Sequence, residues 1–112
     1  MEMALFDTKK YSKLHITVMY VFRASFNDTY WLEEKDIPLG SLDGGALFDP
    51  YFGRNKGEAV EIALLSCSDD KAVFLEKRED KATEHIVLSG GELIVCDDFD
   101  ESMLIAAHIS LR

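Results

Sequence analysis

From Leu14 to Phe26 every even-numbered residue is apolar: Leu14, Ile16, Val18, Tyr20, Phe22, Ala24 and Phe26. The odd positions between them (His15, Thr17, Met19, Val21, Arg23 and Ser25) are mixed. A period of two, carried by β-branched and aromatic side chains, belongs to a strand and not to a helix. At roughly 3.3 Å per residue such a strand runs about 40 Å, long for a small domain, so a bend or bulge is expected within it. Asn27-Asp28-Thr29 supplies turn chemistry, and Tyr30 to Ile37 reads as the return strand of a hairpin.

Pro38 to Gly57 holds both prolines and five of the seven glycines, which makes it a long irregular connection. Leu42, Leu47, Phe48, Tyr51 and Phe52 make it too apolar for a disordered linker. A packed Ω-like loop is expected, with room for a short helix. Ala59 to Ser68 alternates at Val60, Ile62 and Leu64, although its Glu, Ala and Leu content also suits a helix; strand is the expectation. Punctuation then becomes regular. Asp69-Asp70 forms a two-residue turn, Lys71 to Glu79 a strand, Asp80 a turn, and Ala82 to Ser89 the next strand. Gly90-Gly91 signals a tight hairpin, because both residues can take positive φ. Leu93 to Asp97 follows, then a turn at Asp98 to Glu101. A last strand carries Met103, Ile105, Ala107, Ile109 and Leu111 on one face. Turns this regular predict a mainly β fold of about six to seven strands, an antiparallel β-sandwich or partly open barrel with one long irregular loop.

At 112 residues, 47% of them hydrophobic and 29% charged, the chain has the composition of one globular domain, residues 1–112. Twenty-one acidic residues against twelve basic ones leave a net charge of −9. That balance argues against a nucleic-acid partner and against docking on an anionic membrane. Met1 to Lys10 has no apolar stretch of the secretory kind, and Leu14 to Phe22, interrupted by His15 and Thr17, is too short to span a bilayer. Cys67 and Cys96 sit inside hydrophobic runs and read as two buried thiols in a reducing compartment. A cytoplasmic location is expected.

No motif names a reaction. His15 and His108 fall on the less apolar faces of their strands, and His85 on the face of Thr83 and Val87. Three imidazoles on one surface could hold a metal or act as acid and base, but no H-x-x-x-H, H-x-E or Cys-x-x-Cys spacing occurs. Counted from Asp97, the third, sixth and twelfth positions are Phe99, Ser102 and His108, so the calcium-loop pattern fails. Gly44-Gly45 and Gly90-Gly91 are not phosphate loops, and no G-x-S-x-G is present. No catalytic residue, metal ligand or cofactor is expected.

Charge placement carries the functional expectation. Acidic residues cluster at Glu33-Glu34 with Asp36, at Asp69-Asp70, and at Asp97 to Glu101. Alternating turns should place Asp80 with Asp98 and Asp69 with Gly90. The corner of Asp97, Asp98, Asp100 and Glu101 around Phe99, helped by Glu33, Glu34 and Asp36, is expected to meet the cationic face of a protein partner. In size, acidity and lack of enzyme motifs the chain resembles bacterial toxin-immunity proteins, particularly those paired with contact-dependent growth-inhibition toxins. The resemblance implies an inhibitor that binds one basic, nuclease-type toxin domain; it carries over no site residue. A small-molecule-binding β barrel or small enzyme using His15, His85 and His108, with Trp31 or Tyr20 lining a pocket, is a second reading, and a nucleic-acid mimic is a third.

Overall fold

The computed structural model describes residues 10–23, 28–42, 45–54, 59–100 and 103–112; of residues 23, 28–31, 98–100 and 103 it describes the backbone only. Among these residues the chain forms β1 (Lys13–Arg23), β2 (Asp28–Pro38), a 3-10 turn (Leu39–Leu42), β3 (Leu47–Phe48) and β4 (Glu61–Cys67). It continues with β5 (Lys71–Arg78), β6 (Lys81–Leu88), β7 (Leu93–Asp100) and β8 (Met103–Leu111). The strands make two four-stranded antiparallel sheets in a sandwich-like arrangement, not a closed barrel. The first sheet has the order β2-β1-β8-β7 and the second β3-β4-β5-β6. No helix among the described residues is long and apolar enough to cross a membrane.

Alternation in β1 sorts its side chains. Leu14, Ile16, Val18 and Tyr20 are all buried, and they lie in register with Leu111, Ile109, Ala107 and Ile105 of β8. Leu93 and Val95 of β7 extend that layer, and Ile62, Leu64, Ala72 and Phe74 of the second sheet close it from the other side. The connection after β2 packs as expected. Leu39 and Leu42 are buried, and Tyr51 has no exposed surface at all. Asp49 holds the Tyr51 turn by accepting hydrogen bonds from the amides of Tyr51 (2.8 Å) and Gly53 (2.6 Å). Gly53, at φ 81°, sits where a side chain would be strained.

Four expectations need correction. From Lys13 to Arg23 β1 carries no bulge against β2 or β8, and Ala24 to Phe26 of the expected strand lie outside the described residues; the irregularities lie instead in β4, between Leu64 and Ser66, and in β7, between Asp98 and Asp100. A bulge in β1 would break two ladders at once. β7 is an edge strand, and β4 beyond Ile62 and Ala63 has β5 as its one ladder partner among the described residues, so each breaks a single ladder. Gly90-Gly91 does not close a hairpin: β6 and β7 belong to different sheets, and the turn carries the chain across the end of the sandwich. Gly90 does take positive φ, 83°, and a Cβ on Gly91 would lie 3.0 Å from the Leu88 carbonyl oxygen. The pair specifies a tight reversal without specifying which strand lies beside it. Cys67 is buried but Cys96 is exposed, because alternation in β7 turns Leu93 and Val95 inward and Ile94 and Cys96 outward. Finally, Asp97 to Asp100 belong to strand β7, so Asp98 to Asp100 are not the expected turn; Glu101 lies outside the described residues.

One ion-pair network joins the sheets. Arg78 of β5 donates from Nη1 to Asp97 Oδ1 of β7 (2.6 Å), from Nε to Glu76 Oε2 (2.5 Å) and from Nη2 to the Cys96 carbonyl (3.2 Å). The second oxygen of Glu76 lies 2.8 Å from His85 Nε2. Burial works against the Glu76 charge, but hydrogen bonds from Arg78 and His85 outweigh it and hold the carboxyl below its usual range. A depressed carboxyl stabilises the fold fully above its ordinary pKa of about 4.3. That stabilisation disappears as pH falls through the lower native value. Arg78→Met leaves two mostly buried carboxylates without their cation, and should cost about 3 kcal/mol in urea unfolding at neutral pH. The deficit should narrow in acid as Glu76 takes up a proton. The Tyr51 hydroxyl is buried with no hydrogen-bond partner among the described residues, and burial, with Asp97 nearby, raises its pKa. An unmade buried hydrogen bond costs roughly 1–3 kcal/mol, so Tyr51→Phe should raise the melting temperature.

Candidate functional site on the outer face of the first sheet

The face of β1 that turns away from the core carries His15, Thr17, Met19 and Val21. Because the ladder is unbroken, each of these heads a row across the sheet. Asp36, His15 and Ser110 form one row, and Glu34, Thr17, His108 and Ile94 the next. Leu32, Met19, Ala106 and Cys96 form the third, and the positions of Tyr30, Val21, Leu104 and Asp98 the fourth. The third row is largely apolar from edge to edge. Leu32 at its β2 end is 52% exposed, and Ile94, one row away on β7, is 50% exposed. Thr17, Met19, Leu32, His108 and Glu92 line a shallow groove of about 220 Å³ along this junction.

Beside the apolar row stand carboxylates engaged with imidazoles. His15 donates from Nδ1 to Asp36 Oδ1 at 2.8 Å, while its Nε2 lies 3.4 Å from both Glu34 Oε1 and Thr17 Oγ1. Lys13 reaches the other Asp36 oxygen at 3.3 Å. The hydrogen bond from His15, with Lys13 assisting, holds the Asp36 carboxyl below its usual range. His108 Nδ1 lies 3.0 Å from Glu92 Oε1. The His15 side chain is almost covered, whereas Glu34, Asp36 and Glu92 keep about half or more of their surface in water, at 66%, 46% and 46%. The carboxylates are thus open to a partner even though imidazoles fix their positions.

The order Asp36, His15, Thr17 has the sequence of a carboxylate, imidazole and hydroxyl relay. Its geometry does not support acyl transfer. The hydroxyl contact is long, Glu34 competes for the same nitrogen, and N–H groups lying in the plane of a sheet cannot form an oxyanion hole above it. Among the described residues no three His, Cys, Asp or Glu side chains are grouped to hold a metal. His85 is on the other sheet, at the inward-facing position beside Phe74, so the three histidines do not converge. Tyr20 belongs to the core and lines no pocket with His15 or His108.

The acidic residues expected to act together are distributed. β2 and β7 are opposite edges of the first sheet, so Glu33, Glu34 and Asp36 are separated from Asp97 to Asp100 by the width of β1 and β8. Glu33 is on the core-side parity of β2 and pairs with Arg54, tying the loop after β2 to the sheet. Lys35, on the same side, lies over the Phe52 ring at 4.2 Å. Asp97 is committed to Arg78. Asp98 occupies an outer-face register position, and the backbone of Phe99 lies at the β7 irregularity; Glu101 lies outside the described residues. Sequence reading missed Met19, Leu32, Glu92 and Ile94. Leu32 and Ile94 were detectable as apolar residues out of phase with the buried positions of their strands. The chain matches no family model, no curated protein and no solved structure.

The His15–Asp36 contact can be read directly. In His15→Ala the Asp36 carboxyl should titrate upward toward about 3.9, seen in carbon-detected NMR. Depression of an acid stabilises the fold above the ordinary pKa and ceases to do so as pH falls through the native one. The stability gap between the native protein and His15→Ala should therefore close in acid.

Proposed function

We propose that this protein is an acidic inhibitor that binds a cationic protein partner through the outer face of its first sheet. We further propose that it serves as an immunity protein, neutralising a nuclease-type toxin domain by occupying it. The reading is carried by one observation: an apolar row, exposed at its Leu32 and Cys96 ends, crosses four strands on the face that also carries Glu34, Asp36 and Glu92, on a chain of net charge −9. A largely apolar centre with a charged, wet rim is the anatomy of a protein interface. A nuclease must present cationic groups to its phosphate substrate, and those groups are what an array of carboxylates complements.

Size sets a further condition. Three strand spacings of about 4.8 Å and six residues of about 3.4 Å make a face of only roughly 300 Å² before side chains are added. Stable partners usually bury about 800 Å² each. The partner must therefore extend past the sheet, and the β7 edge, whose strand includes Asp98 and Asp100, is the acidic direction in which to extend.

Two kinds of substitution separate the electrostatic and apolar contributions. Against the partner that copurifies at one-to-one stoichiometry, the triple variant Glu34→Gln, Asp36→Asn, Glu92→Gln should associate roughly tenfold more slowly and show a flatter salt dependence. Leu32→Lys should act mainly on dissociation, because it places a charge in the centre of the interface. Cells carrying the native protein should survive the partner's toxicity, and cells carrying Leu32→Lys should not. Unchanged on-rate and salt slope in the folded triple variant would remove this face from the interface.

A further inference from the structure

The outer face of the second sheet differs from the rest of the surface. Leu47 stands beside Ala63, Ala63 beside Leu75, and Val73 beside Ile86, so apolar side chains cross all four strands. Ile86 and Leu88 of β6 are 65% and 70% exposed, more than any other large apolar side chain among the described residues. The strand residues that bring charge to this face are Glu61, Lys71, Lys77 and Glu84, two of each sign. A face of zero net charge on a chain of −9 is where a second equally acidic copy meets least repulsion.

β6 is also an open edge, with β5 as its one ladder neighbour among the described residues. The Ser89 amide donates to the Asp70 carbonyl, one step beyond the Lys71–Leu88 pair. Alternation along an antiparallel ladder then turns the amides of Thr83, His85 and Val87 toward β5. Those of Ala82, Glu84, Ile86 and Leu88 point off the edge. Exposed edges are usually blunted by lysine, proline or a bulge. Between Ala82 and Leu88 the strand has no lysine, no proline and no register shift.

We propose that two copies of the chain associate through β6, pairing antiparallel about a twofold axis at Ile86 and joining their second sheets into one eight-stranded sheet. Charge selects this register. With Ile86 opposite its own copy, Glu84 falls opposite Leu88 of the second copy, whose neighbour on β5 is Lys71. Glu84 of each copy then reaches Lys71 of the other across Leu88. Centring the axis on Glu84 opposes two carboxylates. Centring it on His85 aligns Lys71 of one copy with Lys77 of the other.

Sedimentation equilibrium of the full chain should give twice its 12.7 kDa mass, and Ile86→Lys should halve that mass without changing the melting transition of the dilute protein. Cysteine pairs test the register independently of folding. In a Cys96→Ser background Ile86→Cys should cross-link under mild oxidation, since facing residues of a hydrogen-bonded pair lie about 5.5 Å apart between Cα atoms. Glu84→Cys should not cross-link, because its two copies are four residues out of register, roughly 13 Å apart. A chain that is monomeric at every concentration, a dimer that survives Ile86→Lys, or cross-linking at Glu84→Cys in place of Ile86→Cys would overturn the proposal.

Discussion

β1 has an apolar face to cover and two ladders to complete, and the residues that do both come from far along the chain. β2 pairs on one side and β8 on the other, so the first described strand is clamped by the last. Covering Leu14, Ile16, Val18 and Tyr20 is worth roughly 1.5–3 kcal/mol for each large aliphatic side chain. A slip of one residue would forfeit that for all of them and turn His15 and Thr17 inward. Register is therefore strongly fixed, and with it the outer face. The groups of the candidate interface stand where they do because the other face of the same strand has no alternative.

The second constraint is polar. Arg78 joins the sheets where the core gives way to charged residues, with Glu76, Asp97 and His85 arranged around it. Such a network need not exceed an apolar substitute in stability, since desolvation offsets much of the attraction. What it adds is direction. Guanidinium hydrogen bonds to Asp97 and to the Cys96 carbonyl fix the end of β7 against β5, which apolar packing alone would leave free to slide. The same tie removes Asp97 from the acidic corner and leaves Glu34, Asp36 and Glu92 as carboxylates turned toward water.

The period of β1 and the turn spacing after Cys67 made the fold class legible, because both depend on residues within a few positions of one another. Cys96 and the Asp97–Asp100 run were misplaced because a local run of apolar or acidic residues does not announce its parity; that comes from Leu93 and Val95 reaching the core. Gly90-Gly91 shows the same limit from the other side. Two glycines permit a reversal, but the sheet the chain enters next is set by β7 pairing with β8, which itself pairs with β1. The candidate site was half legible: Glu34 and Asp36 were identified, while the row from Leu32 to Cys96 exists only once β2, β1, β8 and β7 are laid side by side.

The two outer faces can act independently because of the distance between them. Packed sheets lie about 10 Å apart, and the Debye length at physiological ionic strength is about 8 Å. Charges on one face are therefore largely screened from the other, and the acidity of the first sheet does not determine the potential over Ile86 and Leu88. At low salt the faces are coupled: a net charge of −9 would speed encounter with the proposed cationic partner and oppose association of like copies. Pairing through β6 leaves both first-sheet faces directed outward, one on each copy. A dimer built this way would present two acidic faces, one on each copy.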